Sequence, residues 1–297
     1  MANPETITPE LYLVKAFTEH PNGGNTAGVV LFADRLSHER RQKIAAMLGL
    51  SETAFVSASE IGDAKVEFYT PVKQIPHCGH ATVAAFSLLW KKGLLVNGSA
   101  VKESIEGPRQ ISFEGGKVYQ AQVLPQYTPI ESADINPHLI AAALGLPEGF
   151  TFSSEPIIAS TGVPFLLVPV PDEETLHHLQ PDQELIRAIS DKAGLVGFYT
   201  FTTSTTLADA SARMFAPSYG IPEESATGMA AGPLACYLHD YLQQHKANFL
   251  IHQGYHMRHP SPSQIEVMLQ LDGEGHITGL RAGGHGLVIR QMELGDF

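Results

Sequence analysis

Residues 78–92 read CGHATVAAFSLLWKK, and residues 227–244 read TGMAAGPLACYLHDYLQQ. Each is a glycine turn followed by a run that is apolar on every face of a helix. Such helices are buried on all sides, so helices are expected over His80–Lys92 and Gly228–Gln244, each with a sheet wrapped round it. The segments before them also correspond. Gly49-Leu50 and Gly194-Leu195 each precede a strand, 145 positions apart (194 − 49). Phe68-Tyr69-Thr70-Pro71 is echoed by Met214-Phe215-Ala216-Pro217 at an offset of 146 (217 − 71), and Cys78-Gly79-His80-Ala81 by Thr227-Gly228-Met229-Ala230 at 149 (228 − 79). Three matches in one order at nearly one offset predict a duplicated domain.

Working outward, strands are expected over 11–17, 27–32, 53–57 and 64–70, with a turn at Gly23-Gly24-Asn25. A helix over 37–48 is expected to be capped by Ser37 and stopped by Gly49. In the second half, 157–170 is extended, 182–192 helical, and 197–203 and 212–216 are strands. The turn-rich stretch Leu124–Pro137 marks the boundary. The domains are therefore 1–126 and 127–285, with a last strand at 286–292 that could pair with either half. The fold class is α+β: two pseudo-duplicated domains, each a curved sheet or barrel around a central helix, with the active site expected in the cleft between them.

The 297 residues are 43% hydrophobic and 17% charged, which is the composition of a globular chain. No apolar run approaches the roughly 18 residues that a membrane helix needs. Met1–Glu10 is polar, with Pro4 and Pro9, and is unlike a signal peptide; Asp296-Phe297 is no lipidation box. The net charge of −12 argues against nucleic-acid or anionic-membrane partners. Cys78 and Cys236 make no disulfide framework, and a cytoplasmic protein is expected.

Chemistry points to the two glycine turns. The first amides of a helix have no internal acceptor and the helix dipole is positive there, so Gly79 and Thr227-Gly228 can hold a carboxylate without a basic side chain. Glu52 opens the apolar strand 53–57, where desolvation would raise its pKa toward that of a proton shuttle. Its counterpart in the second half is Gly197. His80 begins the first buried helix and could relay a proton; Glu224 precedes the second. Taken singly, each residue also has a structural reading: a surface glutamate, a helix-cap histidine, an acid favouring a helix dipole. His77-Cys78-Gly79-His80 and His252, His256 and His259 have metal-like spacings, but nothing in the sequence completes a zinc site. No dinucleotide fingerprint, P-loop or nucleophile elbow is present. No metal and no cofactor are expected.

The motifs Val14-Lys15-Ala16-Phe17, Gly24-Asn25-Thr26-Ala27-Gly28-Val29, Leu50-Ser51-Glu52-Thr53-Ala54-Phe55, Tyr69-Thr70-Pro71, Cys78-Gly79-His80-Ala81, Met214-Phe215-Ala216-Pro217 and Ala226-Thr227-Gly228-Met229-Ala230-Ala231-Gly232-Pro233 occur in the order seen in PhzF-like proteins. The chain resembles these relatives of diaminopimelate epimerase along nearly its whole length, and the uncharacterised YddE-like bacterial members most. The resemblance implies a diaminopimelate-epimerase-like fold and a cofactor-independent isomerase, as in the phenazine enzyme that isomerises trans-2,3-dihydro-3-hydroxyanthranilate. It assigns the proton-carrying glutamate to Glu52 and its supporting histidine and acid to His80 and Glu224. Asn25, Cys78, Gly79, Thr227 and Gly228 are expected around a small carboxylate-bearing substrate, such as a cyclic amino or hydroxy acid. A homodimer is implied by the resemblance alone. Two residues depart from the pattern: Glu224 and Lys15 each stand where Asp is usual. The rival readings are a thiol-dependent epimerase or racemase, for which Cys78 fits one position but Thr227 fills the other, and a non-catalytic small-molecule binding protein of the same fold.

Overall fold

The computed structural model describes residues 8–295. The polar stretch before residue 8 and the last two residues, read above for targeting signals, lie outside the described residues. The chain divides into two compact units. One runs to Ala121 and resumes at Gly283; the other is Gln122–Ala282.

The first unit begins with β1 (Glu10–Ala16) and β2 (Asn25–Leu31), which pair antiparallel. Helix α1 (His38–Leu48) follows, starting and stopping where the sequence places it. The Ser37 side chain accepts from the Arg40 amide, and Gly49 closes the helix in the left-handed conformation, φ 61°. This returns the chain to β3 (Thr53–Ser57), parallel to β2, and then to β4 (Ala64–Tyr69), antiparallel to β3. After the short β5 (Gln74–Ile75) comes α2 (Gly79–Lys91), buried continuously from His80 to Leu89. Strands β6 (Ser99–Glu103), β7 (Arg109–Glu114) and β8 (Lys117–Gln122) complete the run.

Pairing passes from β1 through β2, β3, β4, β6, β7 and β8 to the last strand, β17 (Ile277–Met292), which pairs back onto β1. The result is a closed eight-stranded barrel with α2 inside. Closure leaves no open sheet edge, and it explains why α2 is apolar all round. On the outer face, Ile44 and Ala45 of α1 pack with Leu11, Val30, Phe55 and Tyr69.

In the second unit, β9 (Gln126–Pro129) and α3 (Pro137–Ala143) precede a repetition of the same plan. Strands β10 (Ile157–Ser160) and β11 (Pro164–Pro169) form an antiparallel pair. Helices α4 (Glu173–His178) and α5 (Gln183–Ala193) lead to β12 (Gly197–Thr202), parallel to β11. Strand β13 (Ala210–Ala216) is antiparallel to β12. The short β14 (Ile221–Glu224) then leads into the buried α6 (Gly228–Asp240), and β15 (Asn248–Gln253), parallel to β13, pairs with β16 (Ser263–Leu271). The antiparallel–parallel–antiparallel–parallel–antiparallel succession is the same in both units, and so is the place of the buried helix. The expected α+β architecture of a duplicated sheet round a helix is thus present in the strand pairing itself.

Two readings need correction. The helix expected over Gly228–Gln244 ends at Asp240, where Tyr241 caps it and Gln243 turns left-handed at φ 57°. Tyr241–Gln244 continue the helical pattern but are exposed or half-buried, so no buried face holds the helix beyond Asp240. The extended stretch 157–170 is a hairpin, turned at Ser160–Pro164.

Candidate active site

In the first unit the sequence-singled residues come together at the start of α2. Glu52 lies between the left-handed Gly49 and β3, and its carbonyl accepts from the Gly28 amide of β2 at 3.3 Å. That bond fixes the residue where the apolar strand begins and turns its side chain inward; Glu52 is 5% exposed. His80, in the first turn of α2, is 3% exposed. Its Nε2 stands 3.4 Å from Glu52 Oε2, and its Nδ1 stands 3.4 Å from the Sγ of Cys78, the residue that caps α2. The imidazole therefore sits between a carboxylate and a thiol, one ring nitrogen facing each. Asn25 is buried at the start of β2, three residues before the Gly28 that holds Glu52. Lys15, the departure in β1, donates its ammonium to the Pro21 carbonyl at 2.6 Å and so ties down the β1–β2 connection.

Glu52, Cys78 and His80 each offer an atom within 4.8 Å of the other two. A zinc ion needs its ligand atoms about 2.0–2.3 Å from one centre. Here the ring's two nitrogens face different partners across the imidazole, an arrangement suited to passing a proton along the line.

Behind this cluster lies Lys102 of β6, fully buried. Its ammonium donates to Gln120 Oε1 at 2.8 Å and Thr82 Oγ1 at 3.3 Å, and stands 3.5 Å from His77 Nδ1. Burial pulls its pKa down to about 8, which the negative charges of Glu106 and Cys78 partly oppose. Burial likewise lowers that of His77, against the pull of Glu106, whose Oε2 is 3.2 Å from His77 Nδ1. Sequence reasoning passed over Lys102. The available signal was a lysine at an inward position of an alternating strand, between Ala100 and Ser104, both also buried.

The second unit has its own network at the start of α6. Thr227 Oγ1 donates to Glu224 Oε2 at 2.6 Å, so the longer glutamate side chain folds back on the helix cap. Gln253, at the end of β15, organises both residues. Its Oε1 accepts from the Thr227 amide and the Tyr199 hydroxyl, each at 3.0 Å; its Nε2 donates to the Glu224 carbonyl at 2.7 Å and to Thr227 Oγ1 at 3.1 Å. Burial pushes the Tyr199 phenol well up, and the Glu224 charge adds to the shift, so Tyr199 stays a donor. The Thr227 amide is engaged within the protein and the Ala230 amide bonds back to the Thr227 carbonyl at 3.0 Å, so a ligand here would meet the amides of Gly228 and Met229. Gln253 and Tyr199 also escaped sequence reasoning; nothing in a lone Gln or Tyr on an apolar strand announces four convergent hydrogen bonds.

Matching strands explains why the two starts differ. Thr53 pairs with Tyr69, and Phe198 with Phe215, so Glu52 corresponds to Gly197. A Cβ on Gly197 would lie 2.1 Å from the Phe215 carbonyl oxygen. No side chain fits there. The second unit could not carry an equivalent acid without moving its backbone.

A family model described as phenazine biosynthesis-like protein matches residues 14–289, so the chain belongs to the phenazine biosynthesis-like (PhzC-PhzF) family. It is similar to the uncharacterized isomerase YddE of Escherichia coli K12, 36% identical over 257 residues, covering 85% of this chain and 86% of that one. It is also 30% identical over 291 residues to the trans-2,3-dihydro-3-hydroxyanthranilate isomerase of Pseudomonas aeruginosa, covering 95% and 93%. Among solved structures, a phenazine biosynthesis protein of the PhzF family from Bacillus anthracis superposes with a TM-score of 0.87 at 25% identity, covering 97% of this chain and 99% of that one. Among the described residues no helix is long and apolar enough to cross a membrane.

Proposed function

We propose that this protein is a cofactor-independent isomerase that moves a proton on a small carboxylate-bearing substrate, with Glu52 as the carrier. The observation that carries the reading is the buried Glu52 carboxylate 3.4 Å from His80 Nε2 at the amide-lined start of α2. The relatives named isomerases support the reaction class. Gly197, which has no room for a side chain, supports a single acid in place of a symmetric pair.

In this reading the amides at the Gly79 end of α2 hold the substrate carboxylate and the charge that develops beside it. Glu52 takes a proton from one carbon and returns it to another. His80, its Nε2 3.4 Å from Glu52 Oε2, sets which of the two carboxylate oxygens carries the proton. Within the second unit, Gln253 fixes Thr227 and Glu224 so that the Gly228 end of α6 is shaped for an anion. A single carboxylate delivers the proton to the same face from which it came. The substrate class is a cyclic amino or hydroxy acid, as in the dihydrohydroxyanthranilate named for the Pseudomonas relative, and the protein acts in the cytoplasm.

Conversion of trans-2,3-dihydro-3-hydroxyanthranilate and related acids in heavy water tests the reading. Isomerisation with deuterium delivered to one face supports it; inversion at a carbon with deuterium from the opposite face refutes it.

The thiol-dependent epimerase reading retains one observation, the Cys78 Sγ 3.4 Å from an imidazole nitrogen. It lacks a second thiol at Thr227, whose hydroxyl is given to Glu224. Cys78→Ser separates the two: a glutamate carrier tolerates it, and a thiol base does not.

A further inference from the structure

A cavity of about 540 Å³ opens in the first unit at the end of the barrel away from Glu52. Its floor is apolar, formed by the buried Leu31 of β2, Val56 of β3 and Leu89 of α2, with Leu94 and Leu95 from the turn after α2. The volume falls within the roughly 300–1,000 Å³ of pockets that hold small molecules. Glu52 stands just before β3 and Ser57 ends it, so at about 3.3 Å per residue the two are about 16 Å apart. Along α2, Gly79 and Leu89 are about 15 Å apart at 1.5 Å per residue. The cavity and the Glu52 cluster therefore sit at opposite ends of the same strand and the same helix.

Around this floor stand polar groups whose bonding is incomplete. The Ser57 hydroxyl is buried with no hydrogen-bond partner. Buried hydroxyls are nearly always bonded, so this one points to a ligand group. The Arg35 guanidinium, at the exposed rim, makes no hydrogen bond or ion pair among the described residues. Asp34 and Asp63 each accept a backbone amide on one carboxylate oxygen, from Ala58 at 2.9 Å and Val101 at 2.7 Å, and keep the other oxygen. Those two bonds pin the β3–β4 connection and so fix the rim. Phe32, which also lines the cavity, is held left-handed at φ 58°, a conformation that bulky side chains avoid. Such strain gathers at ligand sites.

The lining charges select among ligands. A simple carboxylic acid would meet Arg35 but also two aspartates. A simple amine would suit the aspartates and the carboxyl end of α2, where the helix dipole is negative, but would face Arg35. A molecule that carries both charges on an apolar body satisfies every one of these groups. We infer that this cavity binds a free α-amino acid with a large apolar side chain. The ammonium takes the remaining oxygens of Asp34 and Asp63, the carboxylate takes Arg35, and the side chain lies on Leu31, Val56 and Leu89. The inference goes beyond the Glu52 reading, and its test needs no turnover.

The test is calorimetric titration of the full chain with L-phenylalanine, with amide hydrogen exchange to locate the bound ligand. Saturable binding is expected, with exchange slowed in segments 31–36, 56–64 and 88–96. 3-Phenylpropionate and phenethylamine each lack one charge, and each is expected to bind at least about tenfold more weakly, the loss for one charge-assisted hydrogen bond. Glycine, which lacks the apolar body, is expected not to bind. Arg35→Gln changes an exposed side chain. It is expected to weaken L-phenylalanine about tenfold without weakening phenethylamine. Absence of saturable binding overturns the inference, as does equal affinity for L-phenylalanine and phenethylamine. Exchange slowed at Glu52 and in segment 78–82 instead would place the amino acid at the candidate active site, and would also overturn it. So would exchange at the cavity that slows with protein concentration alone, which would assign the surface to a second copy of the chain.

Discussion

Removing the buried charge at Lys102 should change how stability depends on pH. Burial lowers its pKa from 10.5 in the unfolded chain to about 8 in the fold. Below pH 8 both states hold the proton, and the folded state bears the full penalty of a buried cation. Between about pH 8 and 10.5 the folded state releases the proton while the unfolded state keeps it. Stability therefore rises with pH through this window, at up to about 1.4 kcal/mol per pH unit. Integrated over the whole window the gain is about 3 kcal/mol, of which roughly 2 to 3 falls between pH 7 and pH 10. Lys102→Met has no such group. At pH 7 it escapes the burial penalty but leaves Gln120 Oε1 and Thr82 Oγ1 without their donor, a loss of about 1–3 kcal/mol, so its net stability there is close to the wild type's. The diagnostic is the difference between the two proteins. Urea unfolding at pH 7, 8, 9 and 10 should show the wild type gaining about 2–3 kcal/mol on the variant over that range. Parallel stability curves would mean that Lys102 is not held as a strained cation in the core.

Gly197→Ala should destabilise by about 3 kcal/mol or more, because the added carbon meets a backbone carbonyl that cannot rotate away; a thermal midpoint within a degree of wild type would refute the close approach that explains the single acid. Gln253→Met removes the acceptor of the buried Thr227 amide and the Tyr199 hydroxyl together. A loss of about 2–4 kcal/mol in urea unfolding is expected, and a neutral effect would show that the α6 start does not depend on that clamp.

The fold was legible where one residue pattern had one physical meaning. Segments 79–91 and 228–240 are apolar on all sides, and such helices must be surrounded by other structure. Ser37 and Gly49 bracket α1 because a side-chain acceptor and a left-handed residue are what helix ends require. The end of α6 was not legible, since the residues after Asp240 suit a helix as well as a turn and the packing decides. Strands β6, β7 and β8 were missed as well: they are short, carry charges on their outer positions, and gain their stability only when the barrel closes onto β17. In the site, Glu52, Cys78 and His80 could be named because each sits beside a glycine turn with a structural purpose of its own. Lys102 and Gln253 reach the same helix starts from strands far along the chain, and their partners become visible only once β6 lies against β4 and β15 against β13.

Glu52 remains the residue on which the functional reading turns, and its most direct test is solvent-hydrogen exchange followed by NMR in heavy water. Wild type and Glu52→Gln would be compared on a panel of cyclic amino and hydroxy acids. The glutamine keeps the shape and a hydrogen-bonding oxygen toward His80 but cannot carry the proton. The account predicts deuterium incorporation by the wild type and a loss of at least about a hundredfold in the variant, the lower end of what a positioned acid–base group contributes. Full exchange by Glu52→Gln would contradict it.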